Sequence, residues 1–148
     1  MNNFYIKYGF VIAGLMVAYF LILKLIGWHQ YPVLSSVNGL IIGAGIFYAI
    51  RSYKRSVQVF KYEVGFRIGL LTGGLASIIF VIFMAVYIFH IDMQFAMAIL
   101  KSWNINYDTG AQILLFSIFI MSCSTTVVLT LTFMQLLKES RNQNTTNF

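Results

Sequence analysis

The chain has 148 residues, of which 59% are hydrophobic and 9% charged, and it carries a formal net charge of +6. A soluble domain carries about 25% charged residues, and a small one leaves much of its surface wet, so this composition excludes a water-soluble globule. The single cysteine, Cys123, lies inside an apolar run, which excludes an intrachain disulfide and a cysteine-based metal site.

The first apolar run covers residues 8–27, with Lys7 before it and Gly27, Trp28 and His29 closing it. It is longer than the hydrophobic region of a signal peptide and lacks a small-x-small cleavage site at its end, so it reads as a retained span. Lys24 lies about one turn from its end, where a methylene stem lifts the ammonium to the interface. Tyr31-Pro32 makes a tight connection, and Pro32 suits the first turn of a helix because its missing N–H is no loss there. The second run covers residues 33–50, which at 1.5 Å per residue spans about 27 Å, just enough to cross a bilayer. Ser35, Ser36 and Asn38 fall near its outer end.

Residues 51–67 form a basic segment. Arg51, Lys54, Arg55, Lys61 and Arg67 face one acid, Glu63, so half of the 10 Lys and Arg residues sit here. Between two apolar runs this reads as a cytoplasmic loop. Its attraction to anionic lipid head groups is worth about 1 kcal/mol per basic residue. Glu63 and Arg67 stand four apart in the order that supports a helix. The third run, residues 68–90, carries no Asp, Glu, Lys or Arg.

Residues 90–112 are the longest break. Ile91, Phe95, Ile99 and Trp103 recur at helical spacing, which predicts a short amphipathic helix on the outer membrane surface. Asn104-Ile105-Asn106 and Gly110 then predict a turn. The fourth run covers residues 111–137 and ends at Lys138, Glu139 and Arg141. The polar tail, residues 142–148, reads as disordered. Its Asn144-Thr145-Thr146 fits a glycosylation acceptor, which a cytoplasmic tail would not use.

With the N-terminus inside, Lys7, the five loop cations, Lys138 and Arg141 fall on the inner side, and only Lys24 and Lys101 fall outside. That asymmetry predicts both termini in the cytoplasm. Tyr5, Tyr8, Tyr48, Tyr53 and Tyr62 would mark the inner interface, and Trp28, Tyr31, Tyr87, Trp103 and Tyr107 the outer one. The expected fold is all-α: one integral membrane domain over residues 1–148, a bundle of four transmembrane helices, with the amphipathic outer segment between spans 3 and 4. The charge is spent on topology, so no nucleic-acid partner is expected.

Small residues recur every fourth position at Gly39 and Gly43, at Gly65, Gly69 and Gly73, and at Gly9-Ala13 and Gly14-Ala18. This spacing lets helix backbones approach closely in lipid, either within one bundle or between copies of the chain. The fourth run carries Ser117, Ser122, Ser124, Thr125, Thr126, Thr130 and Thr132. Such hydroxyls bond the carbonyl one turn back, bond a neighbouring helix, or line a polar path.

No ionisable group lies near a span centre, which argues against a proton-coupled exporter. No phosphate loop, nucleotide fingerprint or zinc motif is present, and no serine or cysteine has an evident base. His29, His90, Asp92 and Asp108 share the outer side at spacings that match no metal motif. Neither an enzyme nor a cofactor is expected.

Three places carry a family resemblance: Lys7-Tyr8-Gly9 with Ala13-Gly14, the basic loop leading into Phe66-Arg67-Ile68-Gly69, and the aromatic stretch 87–90 followed by Ile91-Asp92 and Phe95. Through them the whole chain resembles a bacterial family of four-span membrane proteins of uncharacterised function. The resemblance implies a bacterial inner-membrane protein and supplies no catalytic or binding residue. The expected role is structural or accessory, through packing with a second copy or a membrane partner. The alternative is a small transporter or channel subunit lined by the fourth span.

Overall fold

The computed structural model describes residues 2–28 and 31–137, the side chains at 2, 3, 32, 35, 107 and 108 excepted. His29, Lys138, Glu139, Arg141 and the tail 142–148 lie outside the described residues. Five α-helices follow in order: α1 (Asn2–Ile26), α2 (Pro32–Ser56), α3 (Tyr62–Val86), α4 (Met93–Ser102) and α5 (Tyr107–Leu136). A π-helical turn, Tyr87–Ile91, carries α3 onward to α4.

Among the described residues, three helical stretches are long and apolar enough to cross a membrane. They are Phe4–Ile26, Tyr62–Ile91 and Thr109–Leu136, with mean hydropathies of 2.3, 2.4 and 2.2. Large apolar side chains cover the outside of the bundle, among them Leu25, Leu40, Phe116, Met121 and Leu136. That surface would be untenable in water and suits lipid. The fold is that of a helical multi-pass membrane protein.

The helices outrun the apolar runs that announced them. Both α2 and α3 extend into the basic segment, so the connection between them shrinks to residues 57–61. Extension is favourable because a helix satisfies its own backbone polar groups in the interface as well as in lipid. Glu63 falls in the first turn of α3, where a negative charge suits the positive end of the helix dipole. Both Glu63 and Arg67 are exposed.

The expected turn at Gly110 is not there. Gly110 is already inside α5, where a Cβ would press on the Leu100 side chain of α4. Chain reversal is done by Asn104, whose φ of 58° places it in the left-handed region. The Ile105 N–H donates to the Leu100 carbonyl (3.1 Å), and the Asn104 N–H to that of Lys101 (3.2 Å). The end of α1 is built the same way around Gly27, at φ 82°, with Trp28 N–H to Leu23 O at 2.9 Å and Gly27 N–H to Lys24 O at 3.0 Å. Both are Schellman ends, which consume carbonyls that would otherwise be orphaned.

α3 sits at the centre and packs on α1, α2 and α5, while α2 touches α1 and α5. The bundle is therefore a rhombus with α2 and α3 across its short diagonal. The small residues set the close approaches. A Cβ at Gly9 would strike Leu75, and one at Gly45 would strike Ile12. Gly65, Gly69 and Gly73 of α3 face Met134, Thr130 and Thr126 of α5 in antiparallel register, with Ile50 and Ile46 of α2 filling in beside them. Gly43 faces Leu129 and Phe133, and Gly39 faces Thr125. Gly39, Gly43, Gly65, Gly69 and Gly73 therefore all face neighbours within this one chain's bundle. Gly14 does not: it is exposed, with nothing within 4 Å of a Cβ there.

The end of the bundle that carries the basic segment is closed by aromatic rings and one cation. Tyr53 packs edge-on against Phe4 (5.7 Å) and lies 6.4 Å from Phe60. The Lys54 ammonium donates to the Leu137 carbonyl at the C-terminus of α5, at 2.9 Å, where both a free carbonyl and the helix dipole favour a cation. Replacing Lys54 by Met is expected to cost about 1 kcal/mol, the net value of such a bond. Replacing exposed Arg55 by Gln should cost nothing measurable. Denaturant-induced unfolding in detergent micelles compares the two.

Candidate functional site

The two ends of the α2–α5 seam differ. At Gly43 a Cβ would stand 3.3 Å from Leu129 Cδ1, so the helices touch. One turn earlier, at Gly39, the nearest atom is Thr125 Cγ2 at 3.9 Å. Beyond Gly39 the helices part and leave a cavity of about 760 Å³. That lies within the range of about 300–1,000 Å³ that small-molecule sites occupy.

The cavity has two faces. Met16 and Phe20 of α1, Met84 of α3 and Phe95 and Ile99 of α4 make the apolar face. Ser36 and Asn38 of α2 and Ser117, Ser122 and Thr125 of α5 make the polar one. Among the described residues, no charged side chain lines it. Tyr19 reaches across from α1, and its hydroxyl donates to the Leu34 carbonyl at 3.0 Å. The Oδ1 of Asn38 is buried and has no hydrogen-bond partner among the described residues.

α4 forms the roof with most of the face that spacing selects. Phe95, Ala96 and Leu100 are buried, while Ile91 and Trp103 are exposed. The expected stripe holds at Phe95 and Ile99, with half-exposed Trp103 at the rim of the cavity, and breaks at Ile91, which lies in the π turn and out of phase with α4. A wider turn admits one extra residue per repeat, and here the Asp92 N–H reaches the Tyr87 carbonyl five residues back, at 2.9 Å.

Asp92 fixes this joint. Its Oδ1 accepts the Phe95 N–H at 3.0 Å, capping α4, and its Oδ2 accepts the Tyr87 hydroxyl at 3.1 Å. The Lys24 ammonium lies 4.6 Å from the centroid of the Tyr87 ring, a cation–π distance. Tyr87 is fully buried and so does not mark the outer interface as its sequence position suggests. Lys24 does more than reach the interface. It covers an aromatic ring whose far end is held by a carboxylate. Asp92→Ala should loosen α4 by about 1 kcal/mol, the usual value of an N-cap. Hydrogen exchange should show faster exchange at the Phe95 and Ala96 amides and none of that change in α3.

The hydroxyl row of α5 splits into separate fates. Thr125 and Thr132 donate to Met121 O and Val128 O, one turn back on their own helix, each at 2.8 Å. Thr126 and Thr130 are buried against Gly73 and Gly69, and their hydroxyl oxygens have no hydrogen-bond partner among the described residues. Ser117 and Ser122 line the cavity. The row is thus a cavity wall at one end and a packing seam at the other.

Family models, curated proteins and solved structures were all compared with the chain, and none matches.

The basic segment does not join the cavity. Arg51 lies 5.7 Å from the centroid of the Phe47 ring and Lys54 caps α5, whereas Arg55, Lys61 and Arg67 are exposed. Of the four outer residues whose spacing matches no metal motif, His90 is exposed, Asp92 is engaged by Tyr87 and Phe95, and His29 and the Asp108 side chain lie outside the described residues. Among the described residues no group of three His, Cys, Asp or Glu side chains gathers to hold a metal ion.

Sequence reasoning missed the cavity and the Lys24–Tyr87–Asp92 joint. A signal for the cavity was present. Ser36 and Asn38 open one apolar run and Ser117 and Ser122 fall in the same outer half of another, so two helices carry polar groups at one depth.

Proposed function

We propose that this chain is a non-enzymatic accessory protein of a bacterial inner membrane. It crosses four times, with both termini in the cytoplasm, and acts by packing a lipid-facing helix surface on a membrane partner. The observation that carries this reading is the unequal use of the small residues. Gly43, Gly65, Gly69 and Gly73 are consumed within the bundle and Gly39 lines the cavity, whereas Gly14 and Ala18 lie exposed on α1 with no neighbour over Gly14. A small-residue pair held open in lipid is a surface on which a second helix can approach closely. α2 is the fourth crossing in this reading. Its glycines, Ser36 and Asn38 lower its apolar content because much of it faces other helices and the cavity. The exposed Arg55, Lys61 and Arg67 would then meet anionic head groups at the inner surface.

Native mass spectrometry in mild detergent, with cross-linking from α1, tests the packing role. A second copy or a co-purifying membrane protein, lost on Gly14→Leu, supports it. A strict monomer that brings nothing with it contradicts it.

The cavity favours a second reading, a carrier subunit lined by Ser117, Ser122 and Thr125. Against a pore through one chain stands the buried seam below them, where Thr126, Thr130 and Met134 pack against Gly73, Gly69 and Gly65. Flux into vesicles that is lost on Ser117→Val or Ser122→Val would favour the carrier.

A further inference from the structure

We infer that the cavity between α2, α4 and α5 is a binding site for an uncharged amphiphile taken from the bilayer, a hydrocarbon-chain molecule whose head is a hydroxyl. This goes beyond the accessory reading and does not depend on it, since a chain with no protein partner could hold such a ligand.

Volume, polarity and access all point the same way. A cavity of about 760 Å³ holds a drug-sized molecule. Its apolar wall is built from Met16, Phe20, Met84 and Phe95. Met side chains adapt to irregular chains, and aromatic rings supply rigid contact. The opposite wall offers Ser117, Ser122 and Asn38.

Asn38 sets the chemistry. Its Oδ1 is buried and unpartnered among the described residues, a state that is costly unless a donor arrives. It lies six residues, about 9 Å, into α2. With no charged residue in the described lining, an ionised head would be buried without a counter-charge, which is prohibitive. A hydroxyl can donate to Oδ1 and accept from the Asn38 amide or a serine, at little desolvation cost.

Access is lateral. Ser36 and Met121 line the cavity and are both exposed, and Met121 lies about 20 Å into α5, inside the apolar stretch Thr109–Leu136. The mouth between α2 and α5 therefore opens on lipid tails. A chain can enter there while its remainder stays in the bilayer.

The test uses the full chain in phosphatidylcholine vesicles with a long-chain alcohol bearing a photoreactive diazirine, and its carboxylate analogue as the charged control. The labelled peptides are mapped by mass spectrometry. Saturable labelling of α5 around Met121, displaced by excess plain alcohol and not by the carboxylate, is expected for the wild-type chain. Asn38→Leu should weaken the alcohol's competition about tenfold, the loss of one net hydrogen bond. Ser122→Phe, which fills the cavity, should abolish labelling there. Labelling spread evenly over lipid-facing surfaces, or equal displacement by alcohol and carboxylate, would overturn the assignment. The displacement assay runs on the wild-type chain alone, so it decides the matter even where a variant fails to fold.

Discussion

Gly69→Val or Gly73→Val is expected to lower the stability of the bundle by about 3 kcal/mol, at the upper end of what overpacking a tight core costs. A Cβ at Gly69 would stand 2.9 Å from Thr130 Oγ1, and one at Gly73 would stand 2.6 Å from Thr126 Oγ1, with Ile50 and Ile46 at 3.1 and 3.0 Å behind them. Neither side has room to move, because Thr126, Thr130, Ile46 and Ile50 are themselves buried. Lipid gives helices no hydrophobic reason to associate, so close backbone approach supplies much of the attraction. Widening the seam removes that attraction along its length. Two controls isolate the cause. Thr130→Ala in the Gly69→Ala background should recover part of the loss, a coupling that independent sites would not show. Gly14→Val, at an open position, should leave stability unchanged. Unfolding in mixed micelles measures all of them.

The second large effect falls at the roof. Phe20→Ala should cost about 3 kcal/mol, the low end of the cost of deleting a buried phenylalanine. Phe20 is the hub of an aromatic cluster. It meets Tyr87 edge-on at 4.9 Å, Phe95 at 5.7 Å and Phe83 at 5.9 Å, joining α1, α3 and α4. Tyr87→Phe should cost less, about 2 kcal/mol, since the ring stays and one hydrogen bond to the Asp92 carboxylate goes. A larger penalty for Tyr87→Phe than for Phe20→Ala would shift the weight from packing to the hydrogen bond. Phe20 also faces the cavity, so Phe20→Ala should widen it as α4 loosens.

The helices were legible because apolar runs near bilayer length have few other uses, and their true ends were not. Apolar content stops at the interface, but backbone hydrogen bonding does not, so α2 and α3 run on through Arg51, Lys54 and Glu63. The glycine spacing at Gly65, Gly69 and Gly73 marked a packing surface correctly but not its partner. Only the antiparallel register shows that Thr126 and Thr130 fill it, which removes two hydroxyls from any polar path. The α4 stripe failed at Ile91 because one extra residue in a π turn changes helical phase, and residue type does not announce it. Lys24 was placed at a helix end by charge and hydropathy. Its seat over Tyr87 depends on how α1 and α3 pack side by side, which is tertiary information. The cavity is harder still, because it comes from helices that part, and no single residue encodes a separation.

The central claim is that the chain crosses the bilayer four times, with the cavity and its roof on the outer side. Single cysteines at three exposed positions, Trp28, Val59 and Trp103, in a Cys123→Ala background test it with a membrane-impermeant maleimide on intact cells. Trp28→Cys and Trp103→Cys should react from outside, and Val59→Cys only after the membrane is opened. Reaction of Val59→Cys from the same side as Trp28→Cys would remove α2 as a span and contradict the account.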